Sequence, residues 1–201
     1  MNVAEIMRVT GEHVVIVLIA VVVAIVAGIP LGIWCTRRAA ASHIVLRAVD
    51  VVQTIPSLAL FGLLIPIPFI GGIGMRTAIV ALILYSLLPI VRSTFTGIRG
   101  VDPAVRDAGV ALGLTPRQLL FDVELPLAMP TIVSGIRIAV VAGIGIATIA
   151  AAIGGGGLGT FIFRGVAMVD TNLILAGAIP AALLALVADL LLTAVERRLI
   201  R

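Results

Sequence analysis

The sequence predicts an all-α, polytopic membrane protein with about five transmembrane helices, built as a single domain over residues 1–201. Three observations carry that expectation: the balance of apolar and charged residues, the length of the uncharged runs, and the placement of arginine. Of the 201 residues, 61% are hydrophobic and 12% charged, and the mean hydropathy is +1.28. A soluble domain carries about 25% charged residues, so a water-soluble fold of this size lacks the polar surface to cover itself. Disordered chains are poor in apolar residues and are excluded by the same balance. The one cysteine, Cys35, cannot build a disulfide framework within the chain.

A helix crosses the hydrocarbon core with about 20 apolar residues, and the uncharged runs place the spans in order. The first is predicted over 14–35. It is no secretory leader, because Glu5 and Glu12 spoil a basic n-region and the run exceeds the roughly 7–15 residues of an h-region. The second run carries Pro56, Pro66, Pro68 and Gly71-Gly72; it predicts a helix over 47–65, ended by the prolines, then a short external turn. The third span is predicted over 77–93 with Pro89 near its end, since membrane helices tolerate proline when neighbours satisfy the freed carbonyls. The fourth, over 130–153, holds Arg137 about two turns in. The run Gly154-Gly155-Gly156-Gly157-Leu158-Gly159 then predicts a flexible external break. A mixed segment over 160–170 reads as surface-lying or re-entrant. The fifth span covers 171–193, and Glu196-Arg197-Arg198 follows it.

The net charge is +4, and every one of the 14 basic residues is arginine. In a soluble chain that balance would suggest nucleic acid; here the charges lie between apolar runs and set orientation in a lipid bilayer, so no nucleic-acid partner is expected. Arg37, Arg38, Arg47, Arg92, Arg99, Arg106, Arg117, Arg197, Arg198 and Arg201 fall on one side of five spans, and Arg8, Arg76 and Arg164 on the other. The positive-inside rule therefore predicts an external N-terminus and a cytoplasmic C-terminus. The chain shows no internal repeat of the kind that marks many secondary transporters.

The stretch 99–126 is the informative polar segment. Asp102-Pro103 reads as an N-cap followed by proline at the first helical position. That helix continues through Asp107-Ala108-Gly109, and Gly113 fits the left-handed residue that ends it. Thr115-Pro116 starts a second helix by the same device, with Gln118 completing a capping box. The second helix is predicted to stop near Leu125-Pro126. Val110, Leu112, Leu114 and Leu119 are available to bury, so the physics allows an amphipathic hairpin on the membrane surface or a docking element for a cytoplasmic partner.

The run Asp107-Ala108-Gly109, three residues, Gly113, nine residues, Val123-Glu124-Leu125-Pro126 resembles the EAA loop of ABC importer permeases. That pattern reads Glu-Ala-Ala, three residues, Gly, nine residues, Ile, one residue, Leu-Pro. This chain has Asp for Glu, Gly for the second Ala and Val for Ile, with the spacing intact; the Gly109 change is the one expected to loosen the first helix. Further segments are similar to the osmoprotectant importers of that class: Gln53-Thr54-Ile55-Pro56-Ser57-Leu58-Ala59-Leu60, Tyr85 to Ile90, Thr96 to Pro103 and Ile174 to Leu183. The methionine importer permease is a relative that shares five spans and a run like Gly154 to Gly159.

The resemblance implies a type I ABC importer permease fold in a bacterial or archaeal cytoplasmic membrane. It implies coupling helices over 99–126 that dock on cytoplasmic ABC ATPase subunits, a second permease chain as homodimer or heterodimer, and an external substrate-binding protein. Import of glycine betaine, choline or carnitine by alternating access follows as the expected function. An amino-acid importer of the methionine type is the alternative within the class. A self-standing channel or secondary carrier is the alternative outside it, and would work without ATPase subunits.

The chain's own chemistry agrees with a transport subunit that is not an enzyme. Gly154, four residues, Gly159-Thr160 imitates the glycines of a P-loop but lacks its lysine, so no cofactor is expected here, and ATP and Mg belong to the partner ATPase. No catalytic residue and no metal site are expected. His13 and His43 fall near opposite membrane faces as interfacial residues, and Cys35 has no partner at metal-ligand spacing. Quaternary ammonium groups are held by aromatic cages, yet the chain has one Trp, one Tyr and six Phe. Trp34 reads as an interfacial belt residue, so selectivity is expected to reside in the external binding protein.

Three charges fall within spans: Asp50, Arg137 and Asp189. Such charges face a bundle interior or a cavity. Arg137 lies seven residues past Pro130 and Asp189 seven before Glu196, so their depths match. They form a direct pair, or Arg137 snorkels and Asp189 is wetted by a vestibule; Asp50 competes as the partner of Arg137 or pairs with Arg47.

Overall fold

The computed structural model describes residues 3–199; Arg201, counted above among the cytoplasmic arginines, lies outside them. Eight helices are described: α1 (Val3–Arg37), α2 (Ala39–Thr54), α3 (Ser57–Leu64), α4 (Met75–Arg99), α5 (Pro103–Ala111), α6 (Pro116–Ile153), α7 (Gly159–Met168) and α8 (Thr171–Leu199). Four of them, α1, α4, α6 and α8, are long and apolar enough to cross a membrane, and the bent pair α2–α3 passes the same test when its two halves are taken together as one broken span.

Helix α1 starts well before the predicted boundary. The extra turns at its N-terminus are polar and paired: Arg8 bonds Glu12 one turn on, and Glu5 lies 3.9 Å from Arg164 of α7. An uncharged-run criterion misses such turns because it stops at the first charge.

The second span is not the continuous helix expected over 47–65. It breaks at Ile55-Pro56, and its two halves are bent by 103°. Pro56 supplies no N–H, and Ile55 before it is held extended at φ −72°, ψ 125°. The break is tolerated because Tyr85 of α4 donates its hydroxyl hydrogen to the Ile55 carbonyl. Tyr85 lies ten residues into α4, about 15 Å along it, roughly half of a 30 Å hydrocarbon core. Non-helical backbone at that depth survives only where protein satisfies it.

Helix α4 is the axle of the fold, packed against α1, α2, α3 and α6. In its most apolar stretch 56% of residues are buried, against 11% for α8. Small residues allow this close packing. A Cβ on Gly32 of α1 would lie 2.6 Å from Thr94 Cβ, and one on Gly135 of α6 would lie 2.6 Å from the Pro89 carbonyl. The core fills the remaining space with Ile16, Val17 and Ala20 from α1, Leu82 from α4, and Ile144 and Ala147 from α6.

The glycine-rich turn between α6 and α7 is tightly packed. Gly154, Gly156 and Gly157 take φ of +73°, +79° and +74°. A Cβ on Gly159 would lie 1.8 Å from the Thr148 carbonyl oxygen, so this turn excludes side chains by contact as well as by dihedral. His13 lies beneath it, fully buried rather than interfacial as expected. The Leu158 N–H donates to Nδ1 at 3.3 Å, which leaves Nε2 to carry the hydrogen and donate to the Ile144 carbonyl at 3.1 Å. A neutral imidazole thus pins α1 to the last turns of α6 and the start of α7.

Candidate functional site

The loop over 99–126 folds locally by the capping chemistry read from its residues. Asp102 Oδ1 accepts from the Ala104 N–H at 2.8 Å and Pro103 occupies the first turn of α5. Gly113 takes φ +80°. The Leu114 N–H bonds back to the Gly109 carbonyl at 3.1 Å and the Gly113 N–H to that of Val110 at 3.0 Å, the two bonds of a Schellman ending. Thr115 and Gln118 form the reciprocal capping box: the Gln118 N–H donates to Thr115 Oγ1 at 3.3 Å and the Thr115 N–H to Gln118 Oε1 at 2.9 Å.

Two expectations are corrected here. The second helix does not stop at Leu125-Pro126; it passes through a π segment, Leu119–Glu124, and continues without a break as the membrane-spanning part of α6. The Leu125 N–H bonds to the Leu120 carbonyl, five residues back. The one-residue slip widens the turn just ahead of Pro126, whose ring would clash with a carbonyl in regular α geometry. Nor does Gly109 loosen α5. It is buried, and a Cβ there would lie 2.8 Å from Leu119 Cδ1 and 3.2 Å from Leu114 Cδ1. The missing side chain is the seat on which both leucines rest, locking α5 to α6.

Val110 and Leu112, candidates for burial within the loop, point outward instead, 61% and 83% exposed. Phe121, with Arg117 stacked 5.9 Å over its ring, and Val105 are exposed as well. Asp107 and Ala108 share this uncovered surface. The loop therefore presents an apolar face, rimmed by charge, at the arginine-rich end of the molecule. Such a patch marks an interaction surface.

Behind that face lies a residue the sequence reading passed over as a spacer. Glu124, at the end of the π segment, is 1% exposed. Its Oε2 accepts from Arg37 in the last turn of α1, and its Oε1 lies 3.2 Å from Arg106 Nε of α5, off the hydrogen-bonding axis. Arg106 also donates to the Ile98 carbonyl in the last turn of α4.

Residues 28–201 match the family described as "Binding-protein-dependent transport system inner membrane component". The chain belongs to this family. It is 44% identical, over 98% of its own length and 89% of the relative's, to the glycine betaine/carnitine/choline transport system permease protein OpuCB of Bacillus subtilis (strain 168). The choline transport system permease protein OpuBB of the same organism is 43% identical over 98% of this chain and 90% of that one. The osmoprotectant import permease protein OsmW of Salmonella typhimurium is 46% identical over 95% and 90%. A chain from inward-facing conformations of the methionine ABC transporter MetNI superposes over the whole of both chains with a TM-score of 0.89 at 22% identity, a likeness of fold. This chain is thus an inner-membrane, binding-protein-dependent permease and not the ATPase; its system includes an ATPase subunit and a binding protein.

The permease brings the matched-depth charges together. Arg137 of α6 faces α8, where Nη1 donates to Thr193 Oγ1 at 2.7 Å. Its Nε lies 3.9 Å from Asp189 Oδ1 and Nη2 3.7 Å from Glu196 Oε2, ion-pair distances beyond hydrogen bonding. The pair is half-wet, with side chains 28% and 45% exposed for Arg137 and Asp189. Thr193 and Glu196 were missed as partners, although spacings of four and seven from Asp189 place all three on one helix face. Asp50 is not part of this cluster and does not pair with Arg47. Both its oxygens accept from Arg92 of α4, at 2.8 and 2.7 Å.

Proposed function

We propose that this permease imports quaternary-ammonium osmoprotectants, glycine betaine, choline or carnitine, by alternating access as one half of a permease dimer. The observation that carries the reading is 43–46% identity over nearly the full chain to permeases named for those solutes. ATPase subunits, which hold ATP and Mg, dock on the exposed face of α5 and the first turns of α6. An external binding protein delivers the solute at the opposite, glycine-rich end. The arginine-rich end faces the cytoplasm, an orientation supported by the positive-inside rule. The pathway binds its solute weakly, and the paucity of aromatic rings supports leaving selectivity to the binding protein.

The test is uptake into proteoliposomes holding the permease with its ATPase, its binding protein outside and ATP inside. Labelled choline, glycine betaine and carnitine are compared with methionine. Uptake of at least one quaternary ammonium compound, lost without ATP or binding protein, is expected. Uptake of methionine alone would overturn the solute class, and uptake by permease lacking the ATPase would overturn the mechanism.

A further inference from the structure

We infer that Glu124 is the residue through which movement of the docking helix α5 reaches the membrane-spanning helices. This rests on the function proposed above and adds to it a named positioning residue. One buried carboxylate joins four elements. It belongs to the π segment of α6, accepts from Arg37 at the end of α1, and lies 3.2 Å from Arg106 Nε of α5, which also donates to the Ile98 carbonyl at the end of α4. A second attachment of α5 is the seat of Leu114 and Leu119 on Gly109, an apolar contact. Apolar contacts slide at little cost, whereas charge-assisted bonds hold direction.

Three features speak for a role in register beyond plain cohesion. Buried ion pairs contribute little net stability, and their best-attested use is to fix register or to switch. The π segment ends on Glu124, and π-bulges inside α-helices are frequent at functional sites. Arg106 Nε is buried without a hydrogen bond, although a carboxylate oxygen lies 3.2 Å away. The contact is thus an ion pair without a hydrogen bond, and rotation of α5 would change it directly.

The experiment measures three quantities in the reconstituted complex: ATPase co-purified, ATP hydrolysed and solute imported. Glu124→Gln is expected to co-purify the ATPase at the wild-type level while solute imported per ATP falls about tenfold, within the range of coupling between sites. Glu124→Asp, which keeps the charge, is expected to recover much of that ratio, and Arg37→Gln to lower it. An unchanged ratio in Glu124→Gln would overturn the inference. So would a parallel loss of co-purification, hydrolysis and import, which is the mark of a merely structural residue. Should Glu124→Gln not accumulate in the membrane at all, the half-exposed Arg37→Gln decides by the same ratio, and a wild-type value sinks the proposal. A wild-type complex that imports nothing under ATP would instead overturn the proposed function, and this inference with it.

Discussion

Gly113 has open space around it and a backbone that only glycine adopts without penalty. No atom lies within 4 Å of a Cβ built there, yet φ is +80°. Gly113→Val therefore tests conformation without a clash, at a cost of about 1–2 kcal/mol for a left-handed residue. Membrane insertion is expected to be normal, with weaker ATPase co-purification and lower stimulated hydrolysis; full coupling in this variant would contradict the junction's role. The charge cluster on α6 and α8 gives a second residue-scale test. Because Asp189 is half-exposed and Glu196 stands beside it, Asp189→Asn is expected to cost about 1 kcal/mol or less, the scale of exposed pairs and below the 3–5 kcal/mol of buried ones. Arg137→Gln is expected to cost more, since it takes the shared counter-charge from both Asp189 and Glu196. Thermal unfolding of Arg137→Gln with Asp189→Asn should be closer to wild type than additivity predicts. At this scale the caps were legible, because Asp102, Thr115 and Gln118 bond within three residues of themselves. Glu124 was not, because Arg37 lies 87 residues before it and only the fold brings them together.

Among the elements, the break in the second span is held by a single hydroxyl. Tyr85→Phe keeps the ring and removes the donor, leaving the Ile55 carbonyl unsatisfied at about 1–3 kcal/mol. A lower melting temperature is expected, together with faster labelling of a cysteine at Thr54, in the last turn of α2, on a Cys35→Ala background. Unchanged stability would mean that water reaches that carbonyl. The prolines show why the sequence separated some elements and not others. Pro30, Pro89, Pro130 and Pro180 all lie inside continuous helices, while Pro56 breaks one. Local sequence looks alike at all five; the difference at Pro56 is a partner thirty residues away that makes the non-helical state affordable. The same limit hid the π segment. Pro126 reads as a stop, but widening the preceding turn lets α6 run through it.

Over the whole molecule, the composition and the arginine bias were enough to predict a polytopic helical protein with one cytoplasmic loop of special form. Depth and burial were not legible, because an apolar run says nothing of which side meets protein and which meets lipid. Helix α4 and helix α8 read alike, yet one is the axle and the other lies on the outside. Topology is tested by cysteines at Thr115 and Asn172. The first is expected to react only from the cytoplasmic side and the second only from outside. Gly157 is unsuitable for this purpose, since a Cβ there would lie 2.8 Å from His13 Nδ1. Labelling of Thr115 from outside would invert the molecule and remove the ATPase from the loop.

The hydroxyl that closes the break in the second span also sets an order on biogenesis. Tyr85 is made thirty residues after Ile55, and at about 5–20 residues per second the ribosome needs roughly 2–6 s to supply it. Until then α2 and α3 are two half-spans with a free carbonyl between them, and neither has the length to enter lipid alone. The two halves are therefore expected to wait in the aqueous lumen of the insertion machinery until α4 arrives, and then to leave with it as one unit. Nascent chains stalled with residue 80 just clear of the ribosome should keep a cysteine at Ser57 open to water-soluble reagents, and chains stalled with residue 100 clear should protect it. Protection at the shorter length would show that the broken span partitions into lipid without its partner.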